Sequence, residues 1–327
     1  MNIVKHRKIF YSISLLLIGF SIYSILTFGL NLGIDFKGGS IIEVKYSSLA
    51  AANATSTNTS VAGTLTKSAT TSVSVVTANT VKESLESLKL GEYVVRQAGT
   101  DGFIIRTKAL SELERQQVVK ALGDLGGEVK RFDSVGPVLG KELQGKAIWS
   151  IVLVLLAIVI FITYTFRGVS KPISSWKYGV VAIVALFHDV IVPVGVFSYL
   201  GSTGGYEIDA LFVTALLVIL GFSIHDTIVV FDRTRENLKT LGFGTSSCKK
   251  TFEEIVGMSV SQTIARSINT SLTTMLALVA LYIFGPKTTE NFALALILGI
   301  AVGTYSSIFI GSPLLVTWQK WQEKKRP

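Results

Sequence analysis

One cysteine in 327 residues, Cys248, leaves no way to close an internal disulfide. Histidine is nearly as scarce, with three in the chain, and no Cys/His grouping has the spacing of a metal site. No nucleophile elbow, phosphate-binding glycine loop or His-Glu metal motif occurs, so an enzymatic reading has no residues to rest on and neither cofactor nor metal is expected. Charge is also sparse: only 16% of residues are Asp, Glu, Lys or Arg, against 49% that are hydrophobic. That balance, with a mean hydropathy of +0.52, exceeds what a water-soluble core needs and makes the bilayer the expected solvent.

What the chain does have is long apolar runs. Six of them, at 9–30, 147–166, 178–200, 210–231, 264–284 and 292–316, approach or exceed the roughly 20 residues that a helix needs to cross the hydrocarbon. The first is too long for a signal-peptide core and reads as a retained anchor. Fifteen Lys and Arg residues flank the spans on one side, and the short loops of the other side carry only Lys287. By the positive-inside rule both termini and the 232–262 loop are expected in the cytoplasm, with 31–146 outside. The net charge of +9 is thereby accounted for without nucleic acid.

The 31–146 segment reads as strands at 40–46, 93–98, 103–107 and 128–134 and helices at 81–90 and 111–122. This βαββαβ order is that of a ferredoxin-like split βαβ unit. The Ser/Thr/Ala-rich stretch at 47–80 has too little large apolar surface to order itself and is expected to be a mobile insertion. The expected fold is a polytopic α-helical membrane protein with six transmembrane helices plus a small extracytoplasmic α+β ferredoxin-like domain between the first two. Its parts are an N-terminus and first span at 1–30, the outer domain at 31–146, a five-helix bundle at 147–316 and a basic tail at 317–327.

Ionisable groups inside spans cost about 2.5 to 3.5 kcal/mol each at a helix centre, so each needs a reason. His188 and Asp189 lie near the middle of the third run, His225 and Asp226 in the inner part of the fourth. Ser223, Asp226 and Thr227 share one helical face, as do Arg266, Asn269, Thr270 and Thr273. Both stripes are expected to face the bundle interior, where Asp226 and Arg266 pair as a proton relay or as a static ion pair. For His188 and Asp189 the alternatives are a second titratable site and a packing hydrogen bond. Gly299, Gly303 and Gly311 form a small-residue stripe suited to close helix contact. Residues 251–258 follow Lys249 and Lys250 and read either as an interfacial helix or as a short solvated one.

Four blocks carry a family resemblance. They are GIDFKGG at 33–39, with Gly33, Asp35, Gly38 and Gly39; GFSIHDTIVVFDRTREN at 221–237, with Asp226, Asp232 and Arg233; RSINTSLTT at 266–274; and GTYSSIFIGSP at 303–313, starting at Gly303. The chain resembles the SecF family, the smaller subunits of the SecD–SecF accessory complex of the protein-export translocon, within the resistance-nodulation-division superfamily. The resemblance implies a partner SecD, docking on a SecY-containing channel in the lipid of a prokaryotic plasma membrane, and use of the proton motive force to help secreted preproteins across. It implies proton passage at Asp226 and Arg266. The family pattern has Asn before the motif Asp. The His225 found here brings imidazole, which exchanges protons near neutrality, beside the relay. Rival readings are a proton-coupled exporter of small molecules or lipids and a purely structural scaffold of the translocon.

Overall fold

The computed structural model describes residues 3–46, 76–99, 102–167, 174–245 and 248–325. Most of the 47–80 insertion lies outside the described residues. The chain divides into two compact units, Gly33–Gln144 and a second made of Met1–Leu32 with Gly145–Pro327.

The helical unit holds six helices long and apolar enough to cross a membrane. They are α1 (Arg7–Phe28), α5 (Pro137–Thr165), α6 (Ser175–Gly204), α7 (Ala210–Thr240), α8 (Phe252–Phe284) and a broken last span. That last span consists of α9 (Lys287–Ser306), a π-helical turn (Ser307–Gly311) and α10 (Ser312–Lys325). Half or more of the most apolar stretch is buried in α6, α7 and the last span (56%, 50% and 56%), against 17%, 6% and 11% for α1, α5 and α8. The first three therefore form the interior of the bundle and the others its outside.

Contacts between these helices use small residues, because without a hydrophobic drive between helices in lipid the backbones must approach closely. A Cβ on Gly299 would meet Ile219 atoms at 2.1 to 2.9 Å, and one on Gly303 would meet Ser223 Cβ at 3.0 Å, so α9 lies directly on α7. Gly195 of α6 is tighter still: its Cβ would fall 2.3 Å from Ser21 Cα, a backbone atom of α1. Gly195→Ala must therefore push α1 off α6, and we expect a loss of about 1 to 3 kcal/mol, the usual cost of overpacking. A lowered thermal midpoint of the purified protein in detergent checks this, and an unchanged midpoint refutes the contact.

Several helices outrun the apolar runs. α5 starts at Pro137, ten residues before the 147–166 run, since proline suits the first helical turn. Residues 252–258 form neither a separate interfacial helix nor a short solvated one: they are the first turns of the 33-residue α8, whose start is fixed by a reciprocal capping box between Thr251 and Glu254.

The second unit contains the short helix α2 (Ile34–Lys37), β1 (Gly39–Tyr46), α3 (Ala78–Glu86), β2 (Tyr93–Ala98), β3 (Gly102–Thr107), α4 (Glu112–Asp124) and β4 (Gly127–Val135). The sheet order is β2-β3-β1-β4 with every neighbouring pair antiparallel, the split βαβ arrangement. Alternation along β1 sends Ile42, Val44 and Tyr46 to one face, where they pack with Phe103 and Ile105 of β3 and with Val81, Leu85, Val118 and Leu122 of the two helices. Gly38 (φ +80°) and Gly39 (φ +140°) turn the chain into β1 where a side chain would strike Pro137 Cα or the Thr107 carbonyl at 2.9 Å.

Ser111 and Glu114 cap α4 reciprocally, and Glu114 also binds Lys108 at 2.8 Å. The Lys108 ammonium first, and then the Ser111 backbone N–H and hydroxyl, lower the Glu114 carboxyl to about 2. A lowered carboxyl stabilises the fold above its ordinary unfolded value, and the benefit is lost as pH falls through about 2. Amide protection at the start of α4 should thus decline with acid in wild type. The decline should be smaller in Glu114→Gln, which keeps the cap without that charge and leaves only Glu112 of the first turn to titrate, and equal acid responses would refute the assignment.

Candidate functional site

The bundle interior is polar in two places, each built around one carboxylate. Asp189 of α6 is fully buried. Its Oδ2 accepts hydrogen bonds from the hydroxyls of Ser223 on α7 (2.5 Å) and Ser306 at the end of α9 (2.7 Å). Its Oδ1 lies 3.0 Å from His188 Nδ1. A single carboxylate thereby gathers donors from three interior elements, an arrangement that offsets much of the cost of burying it.

Hydroxyls continue around it. Ser307 Oγ donates to the Gly303 and Ser223 carbonyls and lies 2.9 Å from Thr227 Oγ1, which donates to the Ser223 carbonyl. These bonds fall where the last span changes from α- to π-helix, a distortion that recurs at functional sites. Ser14 and the Phe10 carbonyl of α1 meet Tyr305 Oη at 3.4 and 2.8 Å, which ties α1 to the same stretch of α9.

The second carboxylate, Asp226 of α7, is buried at 7% exposure. Its Oδ1 accepts a short hydrogen bond from Ser267 of α8, while its Oδ2 is enclosed without a partner. Arg266 does not pair with it. The structure corrects the expected inward stripe on α8: Arg266, Asn269, Thr270 and Thr273 are exposed on this chain, and the buried polar row is Ser259, Thr263, Ser267 and Ser271. Both rows are polar, so polarity alone cannot orient the helix. The distinguishing signal was that the buried row repeats a small hydroxyl every fourth residue, which allows the close packing of α8 on α7. Arg266 lines an open depression with Asp232, Arg233, Glu236 and Gln262. His225 is likewise exposed, on the side of α7 away from Ser223 and Thr227.

Below Asp226, α7 and α8 are stitched by amides and a guanidinium. Asn237 donates to Ser259 (2.8 Å) and to Gln262 (2.9 Å), and Arg233 donates to Gln262 (2.7 Å) and to Glu236 (2.6 Å). Further along, Glu253 at the start of α8 joins Arg7 of α1 (2.8 Å) and Lys320 of α10. No group of His, Cys, Asp and Glu able to hold a metal ion is present among the described residues.

A six-span bundle with carboxylates at the interior helix contacts, joined in sequence to a split-βαβ domain after the first span, defines a class of polytopic membrane protein. Residues 115–321 match the C-terminal model of the protein export membrane proteins SecD/SecF, and residues 23–48 match the SecD/SecF GG motif. The chain is 41% identical over 334 residues to protein translocase subunit SecF of Thermobaculum terrenum, covering 98% of this chain and 94% of that one. It is 38% identical to the subunit of the same name from Anaerolinea thermophila, covering 98% and 94%. Among solved structures it is similar to SecDF, described as a translocon-associated membrane protein, from Thermus, with a TM-score of 0.74 and 30% identity. That match covers 98% of this chain and 39% of the longer SecDF chain. The chain belongs to the SecD/SecF family of protein export membrane proteins, and it is a multi-pass membrane component of protein translocation.

Proposed function

We propose that the protein works with SecD as an accessory subunit of the Sec export machinery, using the proton motive force to promote preprotein translocation through a SecY-containing channel. The observation that carries the coupling part is Asp226, a buried carboxylate inside a membrane span with one oxygen held by Ser267 and the other enclosed without a partner. Such a group needs a proton or another cation to complete it, and it lies on the α7–α8 contact where a change of charge is felt by both helices. The excess of Lys and Arg on one side supports cytoplasmic termini and an extracytoplasmic four-stranded domain. That domain is the part placed to meet emerging chains. Arg266, exposed on this chain at membrane depth, is assigned to the contact with SecD, where a second helix can supply its counter-charge.

The test is preprotein translocation into vesicles that contain the translocon and SecD, with and without an imposed proton gradient, for wild type and Asp226→Asn. Co-purification with SecD is measured in parallel. Gradient-dependent translocation retained in full by a correctly assembled Asp226→Asn would overturn the proposal.

A further inference from the structure

The proposed coupling uses Asp226 and leaves unexplained the more deeply buried polar centre, that of Asp189. Three observations bear on what this centre does. First, it is enclosed: Asp189 is 0% and His188 1% exposed, and both lie among α6, α7 and α9. Secondly, it has no fixed counter-charge. Among the described residues no Lys or Arg pairs with Asp189, and its only titratable hydrogen-bond partner is His188. The other groups that face the centre are neutral: Ser223 from α7, Ser306 from α9, and the Tyr305 ring, whose centroid is 6.2 Å from that of His188. The Tyr305 hydroxyl in turn meets Ser14 and the Phe10 carbonyl of α1, and its ring packs on Phe309. Thirdly, the far nitrogen of the imidazole, His188 Nε2, is buried with no hydrogen-bond partner.

Together these describe a pair with one proton to gain. With His188 carrying its proton on Nδ1 and donating to an ionised Asp189, the couple has a net charge of −1 and leaves a bare lone pair at Nε2. One added proton makes the couple neutral, either as imidazolium and carboxylate or as imidazole and carboxylic acid. A charge buried without a partner is costly, and the centre already fills its Oδ2 side with two hydroxyl donors, so a proton is the ion that fits.

We infer that His188 and Asp189 form a second proton-binding site, separate from Asp226 and set in the α6–α7–α9 core. Ser223 and Ser306 act as positioning residues that hold the carboxylate toward the imidazole. Because Ser306 ends α9 where the π-helical turn begins, the charge of the couple acts on the break in the last span. The site rests on the reading of the protein as proton-coupled, and its test does not depend on translocation.

The test is infrared difference spectroscopy of the full chain in lipid nanodiscs, titrated from alkaline to mildly acid pH. The spectral region that covers the carboxyl, carboxylate and imidazole bands is followed in wild type, Asp226→Asn, Asp189→Asn and His188→Gln. The inference expects Asp226→Asn to retain a titrating component of this region, Asp189→Asn to lose that component, and His188→Gln to shift its midpoint. His188→Gln keeps the carboxylate and a hydrogen-bonding amide, so it serves if Asp189→Asn fails to fold. No Asp189-dependent component in any variant, or an unshifted midpoint in His188→Gln, overturns the second site. Translocation by Asp226→Asn that is insensitive to its mutation would overturn the coupling role of Asp226 and leave the spectroscopic result standing.

Discussion

Asparagine at position 226 removes the gradient-dependent part of translocation and leaves the gradient-independent part and the SecD complex intact. The expectation is sharp because the substitution changes little else. Asn keeps the shape of Asp, and its amide oxygen still accepts the Ser267 hydroxyl that Oδ1 accepts now. The amide nitrogen takes the place of Oδ2, which has no partner in wild type either. The penalty is that of one buried donor without a partner, about 1 to 3 kcal/mol, too little to unfold a six-helix bundle. What is lost outright is the capacity to take and release a proton. Ser267→Ala makes the informative contrast, since it keeps the carboxylate and removes its one donor. It should retain gradient-dependent translocation with an altered pH profile. Equal loss in both variants would mean that the α7–α8 contact, rather than the proton, is what matters.

Leu122→Ala removes a large share of the stability of the four-stranded domain. Leu122 is fully buried and packs in the cluster formed by Ile42, Val44, Val118 and Phe103 beneath the sheet. Truncating a leucine in such a place costs about 2 to 5 kcal/mol, transfer and cavity together. A domain of this size has on the order of 5 to 15 kcal/mol to lose, so the substitution removes a large share. Hydrogen exchange of the β1 and β3 amides in the full chain should speed up by roughly 30-fold or more, since each 1.4 kcal/mol is about tenfold. The membrane helices, a separate compact unit, should keep their protection. An exchange rate within about threefold of wild type would show that α4 does not hold the sheet, because so small a change is well below the cost of a core cavity.

The family resemblance rested on four short blocks, and their residues now have physical roles of different kinds. Gly38 and Gly39 are required by left-handed backbone and by the approach of Pro137 and Thr107. Gly303 sits where a Cβ would crowd Ser223 at 3.0 Å. Arg233 joins Glu236 and Gln262. In the GTYSSIFIGSP block, Ser306 and Ser307 prove to be the groups that meet Asp189 and Thr227. These two serines carry no sign of that role in the sequence, because their partners lie 117 and 80 residues away along the chain.

Six membrane-crossing runs and a βαββαβ domain after the first of them are legible along the chain. Hydropathy over about 20 residues and the alternation of a half-buried strand are properties of contiguous residues, visible without any partner. Which carboxylates lie within the spans is legible too, since their depth follows from counting along each run. What those carboxylates touch depends on how the helices pack. Asp226 meets Ser267 and not the neighbouring Arg266 because α8 carries two polar faces, and rotation of the helix is set by the close packing available to small hydroxyl residues. Asp189 and His188 became the most enclosed polar centre because α7 and α9 converge on α6 there through Ser223, Gly303 and Ser306. Such convergence depends on contacts between segments far apart in the chain, and no local pattern records them.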